Sequence, residues 1–146
     1  MGAVKLRVFQ VFGARMSKVT HINHADGVAR SYSAATNWGG LVFPCGQVPY
    51  DADGSTPAGI EAQTKLCLEN LASALLNAGS SIKNLLQVTV FLADQKDFEK
   101  YDAVWREFFS GNNLPPRTTV FVSGFRGEKR IEISSIAAKN ETKDMR

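Results

Sequence analysis

Histidine and cysteine are scarce in this chain of 146 residues, which holds two of each. Cys45 and Cys67 lie far apart and outside any C-x-x-C spacing, so neither a redox pair nor a disulfide framework is expected. A chain of this length buries a proper core without one, and a reducing, cytosol-like compartment is the expectation. His21 and His24 stand three positions apart beside a turn and lack a third ligand, so no metal site is expected. No run is long and apolar enough to span a bilayer. The phosphate-binding glycine pattern of a P-loop is missing. Ser33, Ser80 and Ser81 have no Ser-His-Asp context. Without internal repeats or low-complexity linkers, the length fits one domain.

Excess charge is small as well: 17 Lys+Arg against 14 Asp+Glu. Three of the cations (Lys5, Arg7, Arg15) fall within "MGAVKLRVFQVFGAR", which contains no acid; without them the balance is 14 against 14. The basic character therefore belongs to residues 1–15, and net charge predicts no nucleic-acid face. The apolar runs of that stretch are too short and too interrupted for a secretory signal. Leu6 stands where a myristoylation signal has Ser or Thr, and the hydroxyl residues of a transit peptide are missing. Residues 1–15 read as a non-core extension in preference to a targeting segment, 16–140 as the domain, and 141–146 as a charged tail.

Between these ends the pattern reads β-β-β-α-β-α-β-β. "SKVTHI" and "RSYSAAT" read as short strands around a turn at Asp26-Gly27. "LVFPCGQVP" is an apolar strand interrupted by Pro44 and Gly46, which predicts a bulge, an edge or a close backbone approach. Ile60, Thr64, Cys67, Leu71, Leu75 and Ala78 recur at helical steps, with Gly79 as the stop. "NLLQVTVFLAD" is a nearly continuous apolar strand, so both its faces call for cover. Asp94 is placed to cap a second helix with Phe98, Tyr101, Trp105 and Phe108 along one side. "RTTVFV" and "RIEISSIAA" complete the strands, with the turn "GFRGEK" between them. One sheet with both helices on one face is an α+β domain. Its other face is apolar too and calls for self-association.

One stretch poses a chemical question. In "NLPPRTTVFVSG", Pro115-Pro116 fix φ and deliver the chain to Arg117, at the first residue of a β-branched run. Taken alone, such an Arg reads as an exposed edge residue. Glu132, alternating with Ile131 and Ile133, reads alone as a solvated acid on a half-buried strand. Paired through a "GFRGEK" hairpin that sets Thr119 opposite Glu132, the residues Arg117, Thr119 and Glu132 would share one face; a one-residue slip would separate them.

The segments "SYSAA", "LVFPCGQVP", "IEAQTKLCLENLASALLNAGSSIKNLLQVTVFLADQKDFEKYDAVWREFF" and "PPRTTVFV…RIEISSIAA" resemble the Rid family (RidA/YjgF type, reactive-intermediate imine deaminases, also known as L-PSP endoribonucleases). The resemblance runs from about Ser31 to Ala138. It rests on the G-Q-V-P turn, the E-A-Q-T…E-N-L helix, the T-V-F-L strand end, and P-x-R-[ST] followed by I-E-I. It implies a chorismate-mutase-like α+β fold: a single mixed sheet with two helices on one face. It also implies a homotrimer with a barrel-like core and clefts between subunits.

The resemblance also implies roles. Arg117 matches the arginine that holds a substrate carboxylate, a task that suits a planar, always-charged fork. Glu132 matches the acid that holds the attacking water. Tyr32 matches a cleft tyrosine, and Gly46 a glycine whose amide approaches the ligand. Cys45 stands where Ser is common and reads as a packed small residue. Thr119 occupies a position held by Cys or Thr. Two residues depart from the pattern: Ala34 replaces a frequent Gln, and Asp102 a frequent Asn. A carboxylate at 102 would repel a bound carboxylate unless it points away or is paired.

The activity implied is hydrolysis of 2-aminoacrylate/2-iminopropanoate and 2-iminobutanoate, released by pyridoxal-phosphate dehydratases, to 2-oxo acids and ammonia. The resemblance implies no metal or organic cofactor. The alternatives are a deaminase of another unsaturated amino acid, of aminomuconate or aminoacrylate type, and a non-catalytic 2-oxo-acid-binding or chaperone-like trimer. The charge balance above argues against nucleic acid as a partner.

Overall fold

The computed structural model describes residues 18–142. The expectations for residues 1–15 lie outside that range. Six strands, β1 (Thr20–Ile22), β2 (Ala35–Trp38), β3 (Leu41–Pro44), β4 (Leu85–Leu92), β5 (Arg117–Phe121) and β6 (Ile131–Ala138), form one sheet in the order β1-β2-β3-β6-β4-β5. Helices α1 (Ile60–Asn77) and α2 (Phe98–Phe108) complete the order read from the sequence. The β4–β5 pair is parallel and the other pairs are antiparallel, so the sheet is mixed.

The helical stripe on α1 is the one the spacing predicted. Ile60, Thr64, Cys67, Leu71 and Leu75 are buried, with Leu68 beside them. Gly79 ends the helix at φ 81°, a conformation that favours glycine. Asp94 accepts from the Lys96 amide at 2.9 Å and opens a short 3₁₀ turn that leads into α2. On α2, Tyr101 and Trp105 are buried, and Phe109 follows in the same core. These side chains meet Val88, Val90 and Leu92 of β4 and Ile131 and Ile133 of β6 in one cluster, so both helices cover the same sheet face. Each fully buried aliphatic side chain there contributes roughly 1.5–3 kcal/mol.

Gln63 explains the polar residue inside the α1 motif. It is 1% exposed; its Nε2 donates to the Pro57 and Glu128 carbonyls, and its Oε1 accepts from the Arg130 amide. One side chain thus ties the start of α1 to the segment that enters β6. Arg130 adds a two-point bond to Asp97 at 2.9 Å each.

Two expectations need correction. The second strand does not begin at Arg30. Arg30 is held by Asp26 within the loop, the Tyr32 carbonyl takes a bond from His24, and pairing starts at Ala35. The Thr119–Glu132 hairpin does not form either. β4 lies between β5 and β6, in register Phe91↔Val120 with β5 and Phe91↔Glu132 with β6. The 122–130 segment spans the end of β4 instead, with Val122 donating to Leu92 and Arg130 accepting from Ala93.

The second sheet face carries Trp38, Leu41, Phe43, Ile136, Phe91 and Val120 by strand alternation and register, and no helix among the described residues covers it. Trp38 is 51% exposed. β5 is an outer strand whose Phe121 is 43% exposed.

Candidate active site

Arg117 opens β5 opposite Val88, a residue of the helix-covered face. Its guanidinium lies over the rings of Tyr101 and Trp105, 5.0 and 4.9 Å from their centroids. Nη2 donates to Asp102 Oδ1 at 2.8 Å. Asp102 Oδ2 accepts from Arg106 Nε at 2.8 Å. The Arg106 bond, with that of Arg117 behind it, holds the Asp102 carboxyl below the usual aspartate range, against a smaller opposing effect of burial. Nη1 of Arg117 is buried with no hydrogen-bond partner among the described residues. A buried guanidinium nitrogen without an acceptor is a hydrogen-bonding capacity the lone chain leaves unused.

Thr119 shares this face. Its hydroxyl meets the Tyr101 hydroxyl at 2.7 Å, and burial pushes the Tyr101 phenol up, so it stays protonated. The sequence places Tyr101 on the apolar side of α2; its place against both Arg117 and Thr119 adds it to the site. The i, i+4 spacing of Tyr101 and Trp105 is the sequence signal for two rings presented together on one helix face.

Glu132 lies on the other face. Its strand neighbours Ile131 and Ile133 are fully buried under the helices, and Glu132 alternates away from them beside Phe91. Its carboxylate forms no ion pair among the described residues and lines a cleft of about 480 Å³ with Val48, Phe125 and Lys129. Gly46 packs directly against it: a Cβ at position 46 would collide with Glu132 Oε1 and lie 3.1 Å from Cδ. The break read at Pro44–Gly46 is therefore a close approach. After it the chain resumes pairing, with Gln47 bridging Ile133. Gly46 is exposed, and its N–H meets no acceptor among the described residues.

Cys45 is half-buried, near Gln47 Nε2 at 3.5 Å, and burial pushes its thiol up, as fits a packed residue. Tyr32 is 56% exposed and lines a separate cleft of about 540 Å³ with His24 and Arg30. Its ring meets His24 edge-on at 5.2 Å. The two histidines are engaged locally, His24 with the Tyr32 carbonyl and His21 with the Ser33 hydroxyl.

The predicted residues thus fall into groups. Arg117, Asp102 and Thr119 gather with Tyr101 on the helix face at the edge of the sheet. Glu132 and Gly46 gather on the open face with Cys45 alongside, and Tyr32 stands apart in its own cleft.

A single mixed sheet thus carries two helices on one face, an arginine packed over aromatic rings at its edge strand and a carboxylate on its open face. Residues 10–139 match the family described as Endoribonuclease L-PSP. A RutC family protein of Pasteurella multocida is 34% identical over 128 residues, covering 85% of this chain and 99% of that protein. Escherichia coli TdcF, whose name places it with the reactive intermediate deaminases, is 30% identical over 128 residues, with 86% and 99% covered. The crystal structure of E. coli TdcF with bound serine superposes with a TM-score of 0.75 at 30% identity, covering 83% of this chain and 99% of that one. The chain belongs to the Rid (YjgF, endoribonuclease L-PSP) family.

Proposed function

We propose that the chain is a hydrolase of small 2-imino and 2-enamino acids, assembled as a homotrimer whose active sites lie between subunits. The observation that carries this reading is the buried, unpartnered Nη1 of Arg117, on the opposite sheet face from the unpaired carboxylate of Glu132. An arginine fork offers a carboxylate its charge and its orientation together. A free carboxylate beside an open amide offers a water both a proton acceptor and a fixed place. The two groups back onto different faces of one sheet, so a substrate touching both lies between copies of the chain. The uncovered apolar face supplies a reason to associate.

In this reading Arg117 holds the substrate carboxylate and Glu132 of a neighbouring copy takes a proton from water. The water oxygen bonds to the imine carbon, the imine nitrogen gains protons, and the C–N bond breaks to leave a carbonyl and ammonia. Imines of this kind hydrolyse in water unaided, so positioning and general acid–base help suffice. The substrates favoured are 2-iminopropanoate and 2-iminobutanoate with their enamine forms, and the products are the 2-oxo acids.

The test generates the imine in situ with a threonine or serine dehydratase and follows its loss with and without the full chain. Faster loss supports the reading. An unchanged rate, together with binding of 2-oxo acids, would favour the non-catalytic alternative.

A further inference from the structure

The cleft of about 480 Å³ that holds the Glu132 carboxylate carries charge that the proposed reaction does not use. Arg126 and Lys129 line it beside Glu132, and Val48 and Phe125 supply an apolar wall. Neither cation forms an ion pair among the described residues, with Glu132 or with any other acid. Lys129 Nζ donates to the Arg126 carbonyl at 3.4 Å, a long bond that leaves its other donors free. Glu128 lies between the two cations in sequence but is not a lining residue, so two cations stand in the cleft against one carboxylate.

This lining is held in place. Val122 donates to the Leu92 carbonyl at 2.9 Å and the Arg130 carbonyl accepts from Ala93 at 3.0 Å, which fixes both ends of the segment. Gln63 holds the Glu128 carbonyl at 2.9 Å, and Gly127, at φ 69°, makes the turn between the cations. A backbone fixed in this way loses little freedom when a ligand binds.

Unpaired cations at the rim of an apolar wall fit a short carbon chain that ends in an anion. In the deaminase reading, on which this inference rests, Arg117 of a neighbouring copy takes the substrate's α-carboxylate. The anion left for Arg126 and Lys129 is then a second one, at the far end of the substrate side chain. We infer that Arg126 and Lys129 form a distal-carboxylate subsite, which selects 2-imino dicarboxylates over imino acids of the same carbon number with an apolar side chain. Glu132 repels a carboxylate set against it, and neither cation is close enough to pair with it, so the distal carboxylate and the attacking water keep separate places in the cleft. The three- and four-carbon substrates named above reach the water without using this subsite.

The experiment uses the corresponding 2-oxo acids as stable probes. Calorimetry compares 2-oxoglutarate with 2-oxopentanoate, which has five carbons and no second carboxylate, on the full wild-type chain and two double variants. Wild type is expected to bind 2-oxoglutarate at least about fivefold more tightly, the scale of two solvent-accessible charge contacts. Arg126→Gln with Lys129→Gln should bring the ratio close to one by weakening 2-oxoglutarate alone. Arg126→Lys with Lys129→Arg keeps both charges and should keep the preference, which separates charge from the structure of the segment. A wild-type ratio near one, or a preference that survives the double glutamine substitution, would overturn the inference. Wild type that accelerates imine loss without the preference would overturn it and leave the deaminase reading standing. A preference that the glutamine variant abolishes, in a chain with no imine turnover, would uphold the subsite and sink the deaminase reading.

Discussion

Gly46 leaves the space that the Glu132 carboxylate fills, and residue 46 can carry no Cβ while Oε1 stays where it is. Its φ is not positive, so backbone conformation does not demand glycine there. The contact does. Because the colliding atom is the far end of a flexible side chain, Gly46→Ala is expected to swing Glu132 aside. The cost in stability should be under about 1 kcal/mol, below that of a rigid overpacked site. Imine turnover should fall about as far as in Glu132→Gln. A double-mutant cycle checks this: the two losses should be far from additive. Additive losses would mean that Gly46 acts on something other than Glu132.

Arg117→Ala is expected to lower kcat/KM for the imine by about 30-fold to several thousand-fold, the range for removing one partner of a desolvated charge contact. Arg117→Lys should recover little, since a point charge lacks the fork and stacks less well on Tyr101 and Trp105. Asp102 keeps Arg106 in either variant, so thermal unfolding should move only slightly. Steady-state kinetics with the coupled dehydratase reads the first effect and a melting curve the second.

If each site draws on two copies, Arg117→Ala and Glu132→Gln chains should each be inactive alone and regain activity when unfolded together and refolded as a mixture. Mixed assemblies contain an interface where the intact Arg117 of one copy faces the intact Glu132 of another. A refolded mixture no more active than its parents would assign both groups to one chain's own site.

The pH dependence follows from Asp102. Its folded carboxyl titrates below the ordinary aspartate value, so the unfolded chain binds the proton more readily. The stabilisation is complete above the ordinary aspartate pKa of about 3.9 and is lost as pH falls through the lowered folded value. Asp102→Asn should therefore be less stable than wild type at neutral pH and converge with it in acid. Urea midpoints measured from pH 7 down to acid check this, and a constant gap across that range would contradict it.

Gln63→Leu keeps the volume but removes three hydrogen bonds, leaving the Pro57 and Glu128 carbonyls and the Arg130 amide without their partner. Unsatisfied buried groups are expensive, and a loss of roughly 2–5 kcal/mol is expected. Urea unfolding should show a lower midpoint at an unchanged slope.

Much of this fold is legible in the residues because it is local. The α1 stripe, the Gly79 stop and the Asp94 cap each follow from a few neighbouring positions. The close approach at Gly46 announces itself as a strand broken by Pro44 and Gly46. What the sequence does not carry is which strands become neighbours. A short turn between Phe121 and Ile131 looks like a hairpin, yet β4 separates the two strands and sends Arg117 and Glu132 to different faces. The "RSYSAAT" reading fails for a related reason: alternation marks a strand, but Arg30 and Tyr32 spend their bonds on loop partners, and pairing waits until Ala35. The polar Gln63 was legible as part of a motif and not as a brace, because two of its three partners, Glu128 and Arg130, come from a distant segment.

In the proposed reading, the split between the two faces would make catalysis a readout of assembly. A lone folded chain would then own both the clamp and the base and bring neither to the other's substrate. In a ring where each copy lends half of itself to either neighbour, one defective copy spoils two sites. A mixed population should then lose activity faster than in proportion to its damaged members, and dilution past the point of dissociation should extinguish turnover while leaving every chain folded.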